Sequence, residues 1–276
     1  MDYNNIGFIG SGKMAGAIIK GLIKTGFTSS NNIIATQAEK EGLEEKSKAL
    51  GIEIILDNTQ LVQKSDVIFI AVKPNQVLGV LEEIKPFVTE EKLIVSIAAG
   101  INTVKLETNL PQGTKVIRVM PNTPALVGEG MSGMVGGKVA SEDDINFVKN
   151  LLSTIGKCIV VDDEKQMDIV TAISGSGPAF FYKVINDIAR AGEKLGMNYD
   201  NALLLSIQTA IGSAKMALQR EVSMETLISN VATKGGCTRV GVDVMEGVGI
   251  NNSTTTENLF FEVIKATTQK AYELGK

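Results

Sequence analysis

Apolar and polar positions change their period along this chain. Up to residue 162, short apolar runs rich in β-branched residues alternate with amphipathic segments. The runs are apolar on both faces, which is typical of strands buried in a parallel sheet. The predicted strands cover residues 6–9, 32–36, 52–55, 66–72, 93–98, 115–120, 131–135 and 158–161, and the predicted helices cover residues 13–25, 39–49, 75–85, 103–109 and 143–152. This alternation predicts an α/β fold, an open parallel sheet with helices on both faces.

The second half of the chain has a different pattern. From about residue 166 no segment reads as a convincing strand, and apolar residues recur at helical spacing instead. The last of these segments opens with Thr254 and Glu257, which have the spacing of a capping box. We therefore predict two domains, an α/β domain over residues 1–162 and an all-helical domain over residues 163–276.

A proline interrupts one of the predicted helices. Pro178 lies in the small-residue stretch TAISGSGPAFFY and removes the backbone hydrogen bond to the Ser174 carbonyl, so a kink is expected there. The small residues before it let another backbone or a cofactor ring approach closely. Ordinary helix packing accounts for them equally well.

Composition and charge exclude several classes of protein. The chain has 276 residues, 44% of them hydrophobic, and a formal net charge of −4, so no basic field for nucleic acid or a membrane surface is expected. No apolar run reaches the length of about 18 residues that a membrane span needs. The first residues do not have the pattern of a secretion signal, and the two cysteines form neither a disulfide framework nor a metal-ligand set. We expect a cytoplasmic protein without a metal.

The chain contains no histidine. Serine–histidine–aspartate and cysteine–histidine nucleophile systems are therefore excluded, as are zinc sites with histidine ligands. Any chemistry has to use lysine, carboxylate, hydroxyl, thiol, backbone or a bound cofactor.

A glycine-rich loop follows the first predicted strand and leads into the first helix. Its pattern is G-x-G-x-x-A, in which the first glycine permits a tight turn, the second lets the backbone approach a pyrophosphate, and Ala15 allows close helix packing. The helix start supplies free N–H groups for phosphate. Because a strand precedes the loop and βαβ units follow it, the loop predicts a Rossmann-like dinucleotide site rather than a plain turn. We expect the pyrophosphate to lie at the loop residues Gly10, Ser11, Gly12, Lys13 and Met14.

The end of the second strand bears on the choice of cofactor. An acidic residue there would favour NAD by binding the ribose 2′-hydroxyl, but this chain has Thr36 and Gln37. Lys40 is the nearby cation, and no arginine is close in sequence. We therefore expect NADPH as the preferred donor, with NADH as a possible second donor.

The stretch KGGCTR contains a second candidate site, within the helical half of the chain. We expect the Thr238 hydroxyl to cap a helix that starts near Arg239, behind the sterically open backbone of Gly235 and Gly236. Such a start can bind a carboxylate, although a plain helix–helix turn is the alternative. Cys237 has no histidine to activate it, and a free cysteine is more often a small buried hydrophobe.

Together these segments resemble the pyrroline-5-carboxylate reductase family over nearly the whole chain. The resemblance rests on the segments GFIGSGKMAGAI, DVIFIAVKPNQV, IVSIAAGI, RVMPNTPALVGEG, DIVTAISGSGPAFFY and GGCTRVGVDVME. It implies hydride transfer from NAD(P)H to the C=N carbon of a small imino acid, which yields L-proline. It also implies a homodimer formed through the helical domains, with dimers assembling further into rings.

The resemblance also assigns residues to roles. Thr36 and Gln37 would contact the adenosine ribose, and Thr238 would be the catalytic residue, with its hydroxyl on the ring nitrogen of the substrate. Glu164 would lie close to the substrate of a neighbouring chain. The cofactor groove would be lined by Asn58, Ala71, Val72, Lys73, Pro74, Ile97, Ala98, Ala99 and Asn230, and the substrate would be held by Gly235, Gly236, Cys237 and Thr238.

Departures from the family pattern keep two other hypotheses open. Thr233 and Lys234 stand where the family commonly has serine and proline, and Arg239 replaces an apolar residue. The charges of Lys234 and Arg239 could tighten carboxylate binding or mark a paralogue with a different imino acid. The same departures leave open a dinucleotide-binding paralogue without turnover. A β-hydroxyacid dehydrogenase, which would use Lys183 or Lys194 as acid–base, is the other alternative.

Overall fold

The computed structural model describes residues 3–248 and 255–275. The chain forms two compact units. The first contains the described residues up to Ser176 together with the end of the chain from Thr267, and the second contains the described residues within Gly177–Ala266.

The first unit is built on one sheet of eight strands in the order β3-β2-β1-β4-β5-β6-β7-β8. All neighbouring strands are parallel except β6 and β7, which are antiparallel. The strands are β1 Ile6–Ile9, β2 Ile33–Thr36, β3 Glu53–Ile55, β4 Val67–Ile70, β5 Leu93–Ser96, β6 Lys115–Met120, β7 Gly130–Gly136 and β8 Gly156–Val160. All eight predicted strands are present, so the predicted α/β fold is confirmed.

The antiparallel strand departs from the fully parallel sheet that the sequence predicted. Only residues 121–129, with a short 3₁₀ turn at Thr123–Val127, connect β6 to β7. A parallel crossover needs about a dozen residues or more, usually with a helix. The short connection therefore turns β7 back against β6.

Among the described residues up to Ser176 there are seven α-helices. They are α1 Lys13–Thr25, α2 Leu43–Leu50, α3 Asn58–Lys64, α4 Val77–Ile84, α5 Thr103–Thr108, α6 Glu142–Leu152 and α7 Gln166–Val170. Five were predicted with similar bounds. Helix α3 was missed because it is short and polar at its start, although Asp57 caps it by accepting hydrogen bonds from the N–H groups of Thr59 and Gln60.

The core lies on both faces of the sheet, as expected for parallel strands with helices on each side. On one face Phe8 and Phe69 stack with ring centroids 4.7 Å apart, and the apolar side of α1 covers them. On the other face Ile9 and Ile70 pack against α3 and α4. This packing fixes the ends of β1 and β4 side by side.

The described residues of the second unit form helices joined by turns, with no strand among them. Its helices are α8 Gly177–Lys194, α9 Tyr199–Gln219, α10 Met224–Val231, α11 Cys237–Met245 and the first part of α12 Thr256–Gly275. Many of its apolar side chains are exposed in the single chain, among them Phe181 at 68% and Leu204 at 66%. The predicted Thr254 cap of α12 lies outside the described residues. No helix among the described residues is long and apolar enough to cross a membrane.

The helix before Pro178 is interrupted where the sequence predicted. A π turn at Thr171–Gly175 separates α7 from α8, and the Ser176 N–H donates to the Thr171 carbonyl over 2.8 Å. Pro178 has no N–H to donate to the Ser174 carbonyl. This carbonyl instead accepts a hydrogen bond from Nδ2 of Asn122 at 3.0 Å. The missing backbone donor is thus replaced by a buried side chain.

Asn122 should therefore be a stabilising residue. Besides the Ser174 bond, its Oδ1 accepts from the Met131 N–H at 2.9 Å, and the residue is 7% exposed. Asn122→Ala leaves two backbone groups without partners, and we expect a loss of about 2–5 kcal/mol in the free energy of unfolding. Urea denaturation measures this. The control Asn109→Ala removes one bond in a half-buried position, and an equal loss there would contradict the prediction.

Candidate active site

The candidate cofactor site lies at the carboxyl edge of the sheet between β1 and β4. Strand β1 has β2 on one side and β4 on the other, so the chain reverses its direction of winding at this point. In open α/β sheets ligands bind outside the strand ends at such a switch point. The predicted glycine loop and the segments after β4 and β5 are all at this edge.

The glycine loop takes the conformation that its residues predict. Gly10 has φ +100°, and a Cβ atom there would lie 2.8 Å from the Ala71 carbonyl oxygen, so only glycine fits. Helix α1 begins at Lys13, directly after Gly12, and no side chain caps it. Its first N–H groups are therefore open to an anion.

The loop also offers a diphosphate a hydrogen-bonding hydroxyl and open space. The Ser11 hydroxyl is buried and has no hydrogen-bond partner within the part of the chain that the structure describes. No atom lies within 4 Å of the position that a Cβ on Gly12 would take. A buried hydroxyl normally forms a hydrogen bond, and a phosphate oxygen could accept one from Ser11. These residues therefore suit a dinucleotide.

Thr36, Asn58 and Gly10 meet at the end of β2. The Thr36 hydroxyl donates to Oδ1 of Asn58 at 2.7 Å and accepts from the Gly10 N–H at 3.3 Å. Asn58 in turn donates to Glu83 at 2.8 Å. Three of the predicted cofactor residues are thus joined in one network that orients the loop.

Gln37 shapes the turn that follows β2. Its Nε2 donates to the carbonyl oxygens of Glu39 at 2.6 Å and Glu41 at 3.1 Å, which leaves Lys40 exposed between two acidic residues. Strand β2 ends at Thr36 and Gln37 follows it, so no carboxylate stands where one would bind a ribose 2′-hydroxyl. The strand end is therefore suited to NADP.

The other side of the groove is formed by residues 71–74 and 97–99. The Ala71 N–H donates to Ile9, and the Ile97 N–H donates to Ile70 at 3.1 Å, which aligns both segments with the strand ends. The Ala98 N–H donates to the Ser96 hydroxyl at 3.3 Å. Val72, Lys73 and Pro74 follow β4 into a short 3₁₀ turn. The structure thus brings these predicted cofactor residues to one edge.

Glu164 belongs to an ionic cluster around the buried Arg118 in the first unit. It forms an ion pair with Arg118, which is 4% exposed, and accepts from the Thr103 hydroxyl at 2.6 Å. Asp168 lies 3.8 Å from the same guanidinium, and burial raises the pKa of its carboxyl, while the charge of Arg118 opposes the rise. The cluster lines a cavity of about 510 Å³ together with Lys105. Sequence alone gave no signal for the Arg118 contact.

The predicted substrate turn lies in the second unit and differs in one detail from the sequence prediction. Gly235 has φ +77°, and α11 starts at Cys237 with Gly236 as its N-cap and without a side-chain capping bond. Thr238 is the second residue of the helix, so the prediction that it caps the helix was wrong. The reason is that Gly236 takes the extended N-cap conformation, and this starts the helix two residues earlier. The first-turn N–H groups remain open, as a carboxylate site requires.

Two neighbours of this turn also differ from expectation. Cys237 is exposed, so it does not act as a small buried hydrophobe. Arg239 donates to Asp243 at 2.7 Å and pairs with Glu246 on its own helix, so its charge is largely offset there. Asn230, the predicted cofactor residue of the second unit, is exposed on α10.

The fold and the glycine loop define a dinucleotide-dependent oxidoreductase. Residues 5–100 match a family model described as coenzyme F420-dependent NADP oxidoreductase. Residues 164–274 match a model described as pyrroline-5-carboxylate reductase dimerisation, which supports the predicted homo-oligomer.

Relatives and solved structures agree over the whole chain. Pyrroline-5-carboxylate reductases from Methanosarcina acetivorans and Pseudomonas aeruginosa are 38% and 37% identical, over 100% of this chain and 100% and 98% of theirs. The structure of the enzyme from Coxiella burnetii has a TM-score of 0.92 at 34% identity, and each chain is covered completely. The structure from Plasmodium falciparum, with NADP bound, has a TM-score of 0.85 at 31% identity, again with both chains covered completely. The chain belongs to the pyrroline-5-carboxylate reductase family.

Proposed function

We propose that this chain reduces 1-pyrroline-5-carboxylate to L-proline with NADPH as the preferred donor and NADH as a second donor. The observation that carries the proposal is the glycine loop, in which the open start of α1, the left-handed Gly10 and the unpartnered Ser11 hydroxyl suit a dinucleotide. Membership in the family supplies the substrate class. Both support the same reaction.

The bound dinucleotide would supply a hydride to the C=N carbon. Residues 10–14 would bind the pyrophosphate through backbone N–H groups, and Thr36 with Gln37 would face the adenosine ribose. Asn58 would hold Thr36 in place through the bond between their side chains. Residues 71–74 and 97–99 would line the rest of the groove, and Asn230 would contact the cofactor from the second unit.

The substrate would be held at the start of α11. The open N–H groups at Cys237 and Thr238 suit its carboxylate, and the glycines before them leave room for it. The Thr238 hydroxyl would hydrogen-bond the ring nitrogen. A protonated imine is already electrophilic, so hydride addition gives the amine directly, and the protein mainly has to align the reacting atoms. This chemistry needs no histidine.

The two other hypotheses are less well supported. Lys183, a candidate acid–base for a hydroxyacid dehydrogenase, is bound to both carboxylate oxygens of Asp187 on an exposed helix face. Arg239, which motivated a non-catalytic paralogue, is engaged by Asp243 and Glu246. Family membership favours the imine reductase over both.

We also propose a homodimer formed through the helical unit, with a ring of dimers as the larger assembly. The exposed apolar side chains of α8 and α9 are the surface available for it. Sedimentation analysis would distinguish a dimer from a larger ring.

The decisive experiment measures NADPH and NADH oxidation by the purified protein with 1-pyrroline-5-carboxylate. A 3-hydroxyacid with NADP⁺ is the parallel assay. Rapid imine-dependent oxidation with a higher rate for NADPH supports the proposal. Turnover of the hydroxyacid alone would favour the dehydrogenase, and cofactor binding without any turnover would favour the paralogue.

A further inference from the structure

The ionic cluster around the buried Arg118 connects three separate segments of the first unit. Arg118 lies in β6, Glu164 follows β8, and Asp168 is on α7. The Arg118 side chain is 5% exposed, and its close ionic partner is Glu164, since Asp168 is 3.8 Å away. A buried guanidinium needs a paired carboxylate, so Glu164 is held in place by charge.

The second carboxylate oxygen of Glu164 binds the start of α5. Oε2 accepts from the Thr103 N–H at 3.2 Å and from the Thr103 hydroxyl at 2.6 Å. Thr103 is the first residue of α5, and Asn102 before it caps the helix by accepting from the Lys105 N–H at 2.7 Å. Arg118 thus fixes Glu164, and Glu164 fixes the helix start.

This helix start is one end of the loop that includes residues 97–99. At its other end the loop is tied to the sheet, where the Ile97 N–H donates to Ile70 and the Ala98 N–H donates to Ser96. Gly100 between the two ends has φ +75°. The loop is therefore held from both sides, by the sheet and by Glu164.

The position of this loop decides which part of the cofactor it meets. A Rossmann-type sheet consists of two halves that each bind one mononucleotide, and the half containing β2 takes the adenosine ribose. The loop after β5 belongs to the other half of the sheet, so it should face the nicotinamide nucleotide. A displaced loop would therefore affect the nicotinamide end and spare the adenosine end.

We propose that Glu164 is a positioning residue which, held by Arg118, fixes the start of α5 and with it the loop of residues 97–99 against the nicotinamide half of the cofactor. This rests on the dinucleotide binding in the proposed function. It gives Glu164 a task within its own chain, whereas the family resemblance places it near a neighbouring chain's substrate.

The test compares two ligands by isothermal titration calorimetry, NADPH and 2′-phospho-ADP-ribose, which lacks the nicotinamide. In Thr103→Val the Kd for NADPH should rise about tenfold, the effect of one lost hydrogen bond to a charged group. Glu164→Gln, which removes the ion pair with Arg118, should raise the same Kd. The Kd for 2′-phospho-ADP-ribose should stay within about twofold, since the glycine loop and Thr36 are untouched. Thr103→Ser, which keeps the hydroxyl, should behave like the unchanged protein.

Two results would overturn the proposal. An equal loss of both ligands would mean that the cluster only stabilises the unit. A higher KM for the imine with unchanged NADPH binding would place Glu164 at the substrate. If Glu164→Gln fails to fold, Thr103→Val carries the test alone, because it leaves the Arg118 ion pair intact. Binding is measured without turnover, so failure of the proposed reaction would be seen separately in the wild-type assay.

Discussion

Gly10→Ala should raise the Kd for NADPH strongly while leaving the protein folded. The substitution places a Cβ at a residue with φ +100°, and this atom would lie 2.8 Å from the Ala71 carbonyl oxygen. Both loops of the groove would have to move, because the obstacle is backbone. Strain of about 1–3 kcal/mol on the bound conformation corresponds to an increase of about 5- to 150-fold in Kd.

The matched control is Gly26→Ala. Gly26 ends α1 with φ +70°, but no atom lies within 4 Å of the position of its added Cβ. It therefore also places an alanine at a positive φ, without the collision at the groove. Calorimetric titration with NADPH, combined with thermal denaturation, separates the two effects. If both variants lost affinity equally, Gly10 would have no special role in binding.

The agreement between sequence and structure is best where the local pattern decides the result. The buried strands and α1 were predictable because period and glycine spacing are local signals. The preference for NADP was also predictable from local sequence, since Thr36 and Gln37 occupy the positions where an NAD-binding carboxylate would be found. These features place the cofactor edge without any tertiary information.

The differences between prediction and structure have two sources. Some depend on local features of the sequence that the prediction did not take into account, and others depend on contacts between residues far apart in the chain. The antiparallel β7 follows from the length of its connection, which was available in the sequence. The cap of α3 by Asp57 was available as well. By contrast, Arg118 and Glu164 are 46 residues apart, and only the folded sheet brings them together.

The start of α11 shows how a small error changes a chemical argument. The sequence suggested that Thr238 caps this helix, which would have tied its hydroxyl to the backbone. In the structure Gly236 is the N-cap, and Thr238 is inside the first turn. Its hydroxyl is then not required for capping, so it can bind a ligand while the backbone N–H groups bind a carboxylate.

Thr238→Ala should therefore lower turnover of the imine without affecting cofactor binding. Loss of a hydrogen bond to a charged ring nitrogen costs about 1.5–3 kcal/mol, which corresponds to a decrease of about 10- to 100-fold in kcat/KM. The Kd for NADPH should be unchanged, because residues 10–14 belong to the other compact unit. Steady-state kinetics with the imine and calorimetry with NADPH measure the two quantities.

Thr238→Ser is the control that identifies the responsible atom. It keeps the hydroxyl and loses only a methyl group, so it should retain most of the activity. Cys237→Ser tests the neighbouring side chain, which we expect to tolerate the change because only its backbone N–H is used. If serine at position 238 were as inactive as alanine, the methyl group and its packing would explain the loss. The hydroxyl would then have no direct role at the imine nitrogen, and the open N–H groups of α11 would remain as the substrate-binding feature of this turn.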